Sequence, residues 1–92
     1  MATYIMFGRY SQDAIGKISA ERTQKATALI EQNGGKLREG YALLGETDLV
    51  IIVDLPDTER AMKSSVALSK LLGVSFATMP AISVSEFDRI LA

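Results

Sequence analysis

The chain has 92 residues, ten basic and eleven acidic, for a net charge of −1, and it contains no cysteine, histidine or tryptophan. Those absences exclude disulfide staples, thiolate or imidazole metal sites, histidine-ligated haem, and any Ser-His-Asp or Cys-His nucleophile. The scattered cations and a pI near 5.3 leave no electrostatic footprint for nucleic acid.

A hydrophobic fraction of 48% is that of a globular chain. Residues 1–92 are expected to form one domain, stabilised by core packing and supplemented by an interface. The N-terminus reads as a strand rather than a signal peptide, so the cytoplasm is the expected compartment. The longest aliphatic run, Leu49 to Val53, is far short of a membrane span, and no membrane contact is expected.

Thr3 to Tyr10 is a β-branched and aromatic run that predicts a first strand. Ser11, Gln12 and Asp13 offer an N-cap to a helical stretch carrying Ile15 and Ile18. The pattern falters at Ser19-Ala20 and resumes with Ala26, Leu29 and Ile30, so the segment is one long helix with a weak point or two short helices in series. Asn33-Gly34-Gly35 ends it, because glycine takes the left-handed conformation after a helix without steric cost.

Lys36 to Leu44 is predicted as the second strand and Asp48 to Leu55 as the third. Between them Gly45-Glu46 suits a two-residue type II′ turn, and a three-residue loop from Gly45 to Thr47 is the competing register. A slip of one residue between the two would move every side chain of one strand to the other face.

Pro56-Asp57 stops the third strand and opens a helix with Asp57 as N-cap and Glu59 in its first turn. Ala61, Met62, Ser65, Leu68, Ser69 and Leu72 form its predicted inward stripe, and Gly73 closes it. Val74 to Met79 is a fourth strand, expected to break at Pro80. Ser83-Val84-Ser85-Glu86 is a capping box, so the last residues, Phe87 to Leu91, are predicted to form a short C-terminal helix. The order predicts an α+β, ferredoxin-like βαββαβ fold with a four-stranded antiparallel sheet and a short C-terminal helix.

Two helices cover one face of such a sheet, yet the strands are apolar on both sides. Tyr4, Met6 and Tyr10 oppose Thr3, Ile5 and Phe7; Leu49, Ile51 and Val53 oppose Val50 and Ile52; Leu37, Tyr41 and Leu43 oppose Ala42 and Leu44. An uncovered apolar face exceeds what a monomer usually exposes, so a homodimer or larger ring is expected. The competing arrangement folds Pro80 to Ala92 over that face within one chain.

The whole chain resembles the GYD domain family, small bacterial and archaeal proteins of the dimeric α/β-barrel type. The resemblance runs through Thr3-Tyr4-Ile5, Asn33-Gly34-Gly35-Lys36-Leu37 and Gly45-Glu46-Thr47-Asp48-Leu49-Val50, then Pro56-Asp57 and Phe87. Thr47 stands where the family has tyrosine, while Gly45 and Asp48 match its pattern. The resemblance implies a dimeric ferredoxin-like architecture and no established activity.

Asp48, at the hairpin exit beside an apolar strand, is the first candidate for a general base or a ligand acceptor, against the alternative of a structural strand end. Arg9, Tyr10, Arg38 and Tyr41 could line a pocket for a small anionic or aromatic molecule, against ordinary amphipathic packing. Gly34-Gly35 follows a helix rather than opening one, which suits a C-cap and not a phosphate loop. The four methionines read as a start residue and core filler. The third strand has neither stacking aromatics nor a basic lead residue, which argues against RNA recognition.

The expected function is a non-enzymatic, homo-oligomeric module that binds a small metabolite between sheet and helices, with no cofactor. The alternative is an enzyme similar to the cofactor-independent monooxygenases of the dimeric α/β-barrel type, in which Asp48 or Glu39 would transfer protons.

Overall fold

The structure, a computed structural model, describes residues 1–92. The elements run β1 (Ala2–Tyr10), α1 (Gln12–Ile15), α2 (Ala20–Gln32), β2 (Lys36–Ala42), β3 (Leu49–Leu55), α3 (Thr58–Leu72), β4 (Val74–Ala81) and α4 (Val84–Leu91). The four strands form one antiparallel sheet in the order β2-β3-β1-β4. This is the ferredoxin-like arrangement expected from the element order, with the two central strands contributed by the two βαβ halves.

Each helix starts on a side-chain cap, because the first-turn N–H groups have no partner inside the helix. Ser11 Oγ accepts from the Ala14 N–H, Ser19 Oγ from Arg22, Asp57 from Arg60 and Ser83 Oγ from Glu86. The Ser19 cap resolves the first ambiguity: the segment before β2 is two helices in series. Gly34 (φ +79°) and Gly73 (φ +67°) end α2 and α3 in the left-handed region, where a Cβ is strained.

The core lies between the sheet and α2 and α3. Tyr4 and Met6 of β1, Ile51, Val53 and Leu55 of β3, Ala26 and Ile30 of α2, and Ala61 and Leu68 of α3 are all buried within it. Gly8 of β1 pairs with Phe76 of β4, and a Cβ there would come within 2.6 Å of a Val74 methyl group. Met62 is exposed, so the inward stripe of α3 runs through Ala61, Ser64 and Leu68 instead. Ser64 is fully buried and its hydroxyl has no hydrogen-bond partner.

Three expectations are corrected. The β2–β3 connection adopts neither tight register. The Leu43 N–H donates to the Asp48 carbonyl at 2.9 Å, leaving Leu44 to Thr47 as the loop. The register is decided by β1, whose Gly8 carbonyl accepts the Asp48 N–H at 2.9 Å. In β2 a bulge between Leu37 and Glu39 shifts the phase. Leu37 stays on the helix side opposite Val53, and Tyr41 falls opposite Val50 on the other face, so the two do not share a side as expected. Pro80 does not break β4, which continues to Ala81 as an edge strand, where proline is tolerated because its missing N–H faces away from the sheet.

The face turned away from α2 and α3 carries Ile5, Phe7, Val50 and Ile52, all half-buried, with Met79 exposed beside Ile5. No residue of α4 is buried. Its Val84, Phe87, Ile90 and Leu91 form an exposed apolar stripe, and the longest dimension of the chain is 47 Å. Folding of the C-terminal segment over its own sheet therefore does not occur.

Candidate functional site

At the β2 end of the sheet the space under α2 is not filled. Across from α2, β2 presents Gly40 and Ala42, and α2 itself presents Ala26, so three small residues meet where large ones would close the core. The result is a cavity of about 330 Å³. That lies within the ~300–1,000 Å³ typical of small-molecule sites. Leu37, Leu49, Ile51 and Ile30 make its apolar base. Ala14 and Ile18 close it from the α1 side, held there because the Ser11 N–H donates to the Gly73 carbonyl at 3.0 Å. The cavity opens to solvent beside Thr23, Gly40 and Ala42, which are exposed.

Eleven of the fifteen lining residues are hydrophobic, and the only charged one is Arg22. Arg22, half-buried, donates from Nη2 to the Leu71 carbonyl at 2.7 Å and forms no ion pair. Tyr10, Ser19 and Thr23 supply the hydroxyls. Ser19 Oγ is engaged with the Arg22 N–H and Thr23 Oγ1 donates to the Ser19 carbonyl at 3.3 Å. The Tyr10 hydroxyl has no partner within the chain, because the hydrogen bond made by that residue is through its backbone. The lining thus contains a cation and a free phenol and no carboxylate.

Of the residues singled out from sequence, the structure brings Tyr10 to the cavity; Tyr41 borders it from β2, at a register position that belongs to the opposite face of the sheet. Arg9, exposed on the opposite side of β1, and Arg38 are not part of it. Arg38 lies 3.7 Å from the Asp54 carboxylate, which also accepts from Thr3 Oγ1 at 2.9 Å. Asp48 has a structural role: its Oδ2 accepts the Tyr10 N–H at 3.0 Å, tying the end of β1 to the hairpin. Neither Asp48 nor Glu39 lines the cavity. Arg22 was not visible as a candidate because a charged residue in a helix usually faces water. Its spacing was the available signal, since Arg22, Ala26 and Ile30 recur every four residues along the inward stripe.

Among solved structures, the chain is similar to the crystal structure of the Mycobacterium tuberculosis leucine response regulatory protein (LrpA), with a TM-score of 0.59 and 11% identity. The match covers 89% of this chain and 51% of that one, so this chain spans about half of the regulator's length. At that identity the likeness speaks for the fold alone. No curated protein matches the chain at a significant level. A GYD domain profile matches residues 4–91, from the third residue of β1 to the last of α4. The chain belongs to the GYD domain family.

Proposed function

We propose that this chain is a homo-oligomeric, non-enzymatic module that binds a small, largely apolar molecule between α2 and the sheet. The observation that carries this reading is the cavity of about 330 Å³, walled by apolar side chains and kept open by Gly40, Ala42 and Ala26. Its lining lacks the carboxylates that a proton-transfer enzyme without histidine would use, Asp48 and Glu39 included. That favours binding over turnover.

Assembly is supported by the other face of the sheet. Only 13 of 92 residues are buried in the isolated chain, while Ile5, Phe7, Val50 and Ile52 line up on a surface that no helix covers. A second copy seated on the same surface would complete their burial through a two-fold interface.

Thermal-shift measurements with a metabolite panel test the binding, and light scattering with Ile52→Lys tests the assembly. Ligand-dependent stabilisation and a native mass above one chain, falling to one chain in Ile52→Lys, are expected. A monomeric native protein rejects the assembly, and a panel without any stabilising compound rejects the binding. An oxygen-consumption assay with quinol substrates that showed turnover would replace this reading with an enzymatic one.

A further inference from the structure

We infer that the cavity selects a monocarboxylate with an apolar body, a single aromatic ring or a short branched chain, and that Arg22 is the residue that recognises its anion. This rests on the reading of the cavity as a ligand site.

Charge sets the class. Arg22 is the only charged residue in the lining, and it has no acidic partner within the chain. A guanidinium has five N–H donors, and the structure uses one of them, on the Leu71 carbonyl. That bond anchors the end of the side chain against the C-terminal turn of α3 and leaves the remaining donors free. A planar fork with free donors matches a carboxylate in a bidentate pair. Tyr10 adds an uncommitted hydroxyl able to donate to the same anion.

The rest of the lining limits the ligand further. Leu37, Leu49, Ile51 and Ile30 require an apolar body. A free amino acid fits poorly, because the lining contains no carboxylate to receive its ammonium group, which would be desolvated without a partner. A phosphate ester fits poorly too, since one guanidinium is the only cation available to a dianion.

The test uses 3-phenylpropionate, its neutral amide and phenylalanine as probes of one apolar body, titrated by calorimetry into the intact protein. The acid is expected to bind at least about tenfold more tightly than the amide or phenylalanine, the scale of one hydrogen-bonded charge pair. In Arg22→Gln, checked for an unchanged amide NMR fingerprint, the acid should lose that preference while the amide binds as before. Arg22→Lys should recover part of it, since it retains the charge and loses the fork. Equal binding of acid and amide to the native protein, or an unchanged preference in Arg22→Gln, overturns the anion assignment and leaves the cavity reading intact. Binding of none of the three probes, with Gly40→Leu as the filled-cavity control, overturns both.

Discussion

Replacing Ser64 by alanine should stabilise this protein, which runs against the usual effect of a core substitution. Ser64 is fully buried in the middle of α3, and its hydroxyl has no partner. An unpaired buried hydroxyl costs about 1–3 kcal/mol of desolvation, which the substitution removes. Alanine adds about 0.5 kcal/mol through helix propensity. The space vacated by one oxygen, roughly 15 Å³, costs about 0.4 kcal/mol at ~24 cal/mol per Å³. The two smaller contributions cancel, leaving a net gain of about 1–3 kcal/mol. For a domain of this size each kcal/mol raises Tm by about 4–8 °C, so a rise of at least about 4 °C is expected. Urea and thermal unfolding, followed by circular dichroism at one fixed protein concentration, measure it. The neighbouring Ser65→Ala is the matched control. Its hydroxyl pairs with Thr78 Oγ1 at 2.9 Å, so that variant should lose about 0.5–1.5 kcal/mol. If Ser64→Ala is neutral or destabilising, the hydroxyl is satisfied in solution and the reasoning fails.

Gly8→Ala should cost about 1–3 kcal/mol through overpacking, because its Cβ would stand 2.6 Å from Val74 and 2.8 Å from Phe76. A lower urea midpoint checks it, and an unchanged midpoint would mean that β4 gives way without strain. Asp48→Ala should cost about 1–2 kcal/mol and speed amide exchange at Tyr10, whose N–H loses its acceptor, while Asp48→Asn retains an acceptor oxygen and most of the stability. Equal losses in both variants would point to the charge rather than the hydrogen bond. The Arg89 guanidinium beside Glu86 holds its carboxyl below the ordinary carboxylate value. The stabilisation this pair gives α4 is therefore present at neutral pH and is lost as pH falls through the lowered value. An NMR titration should show the Glu86 value rising in Arg89→Met, and no change would dissolve the pair.

How much of this could be read in the sequence depends on the range of the interaction responsible. The element order and the caps at Ser11, Asp57 and Ser83 are set by neighbours within a turn and are legible from local residues, whereas Ser19 reads only as a weak point and not as the cap it is. The hairpin is not, because β1 recruits the backbone and the carboxylate of Asp48 from forty and thirty-eight positions away, through Gly8 and Tyr10. The phase of β2 was equally hidden: alternation predicts Leu37 and Tyr41 on one side, and a bulge separates them. Tyr10 was legible as a residue of interest from its type, while the bulge carries Tyr41 to the other face. The cavity itself was not, since it arises from small side chains on β2 and α2 that meet only after folding.

Pro80 and the bulge after Leu37 have a consequence for colloidal behaviour. They lie on β4 and β2, the two outermost strands of the sheet. A proline lacks the donor that a docking strand would need, and a bulge twists the ladder away from a flat approach. Both edges are therefore poor templates for strand addition, and sheets cannot readily join side by side into fibrils. Growth is left to the broad apolar face, where the proposed two-fold contact would close on itself and stop. At high concentration the chain should form discrete particles rather than polymers.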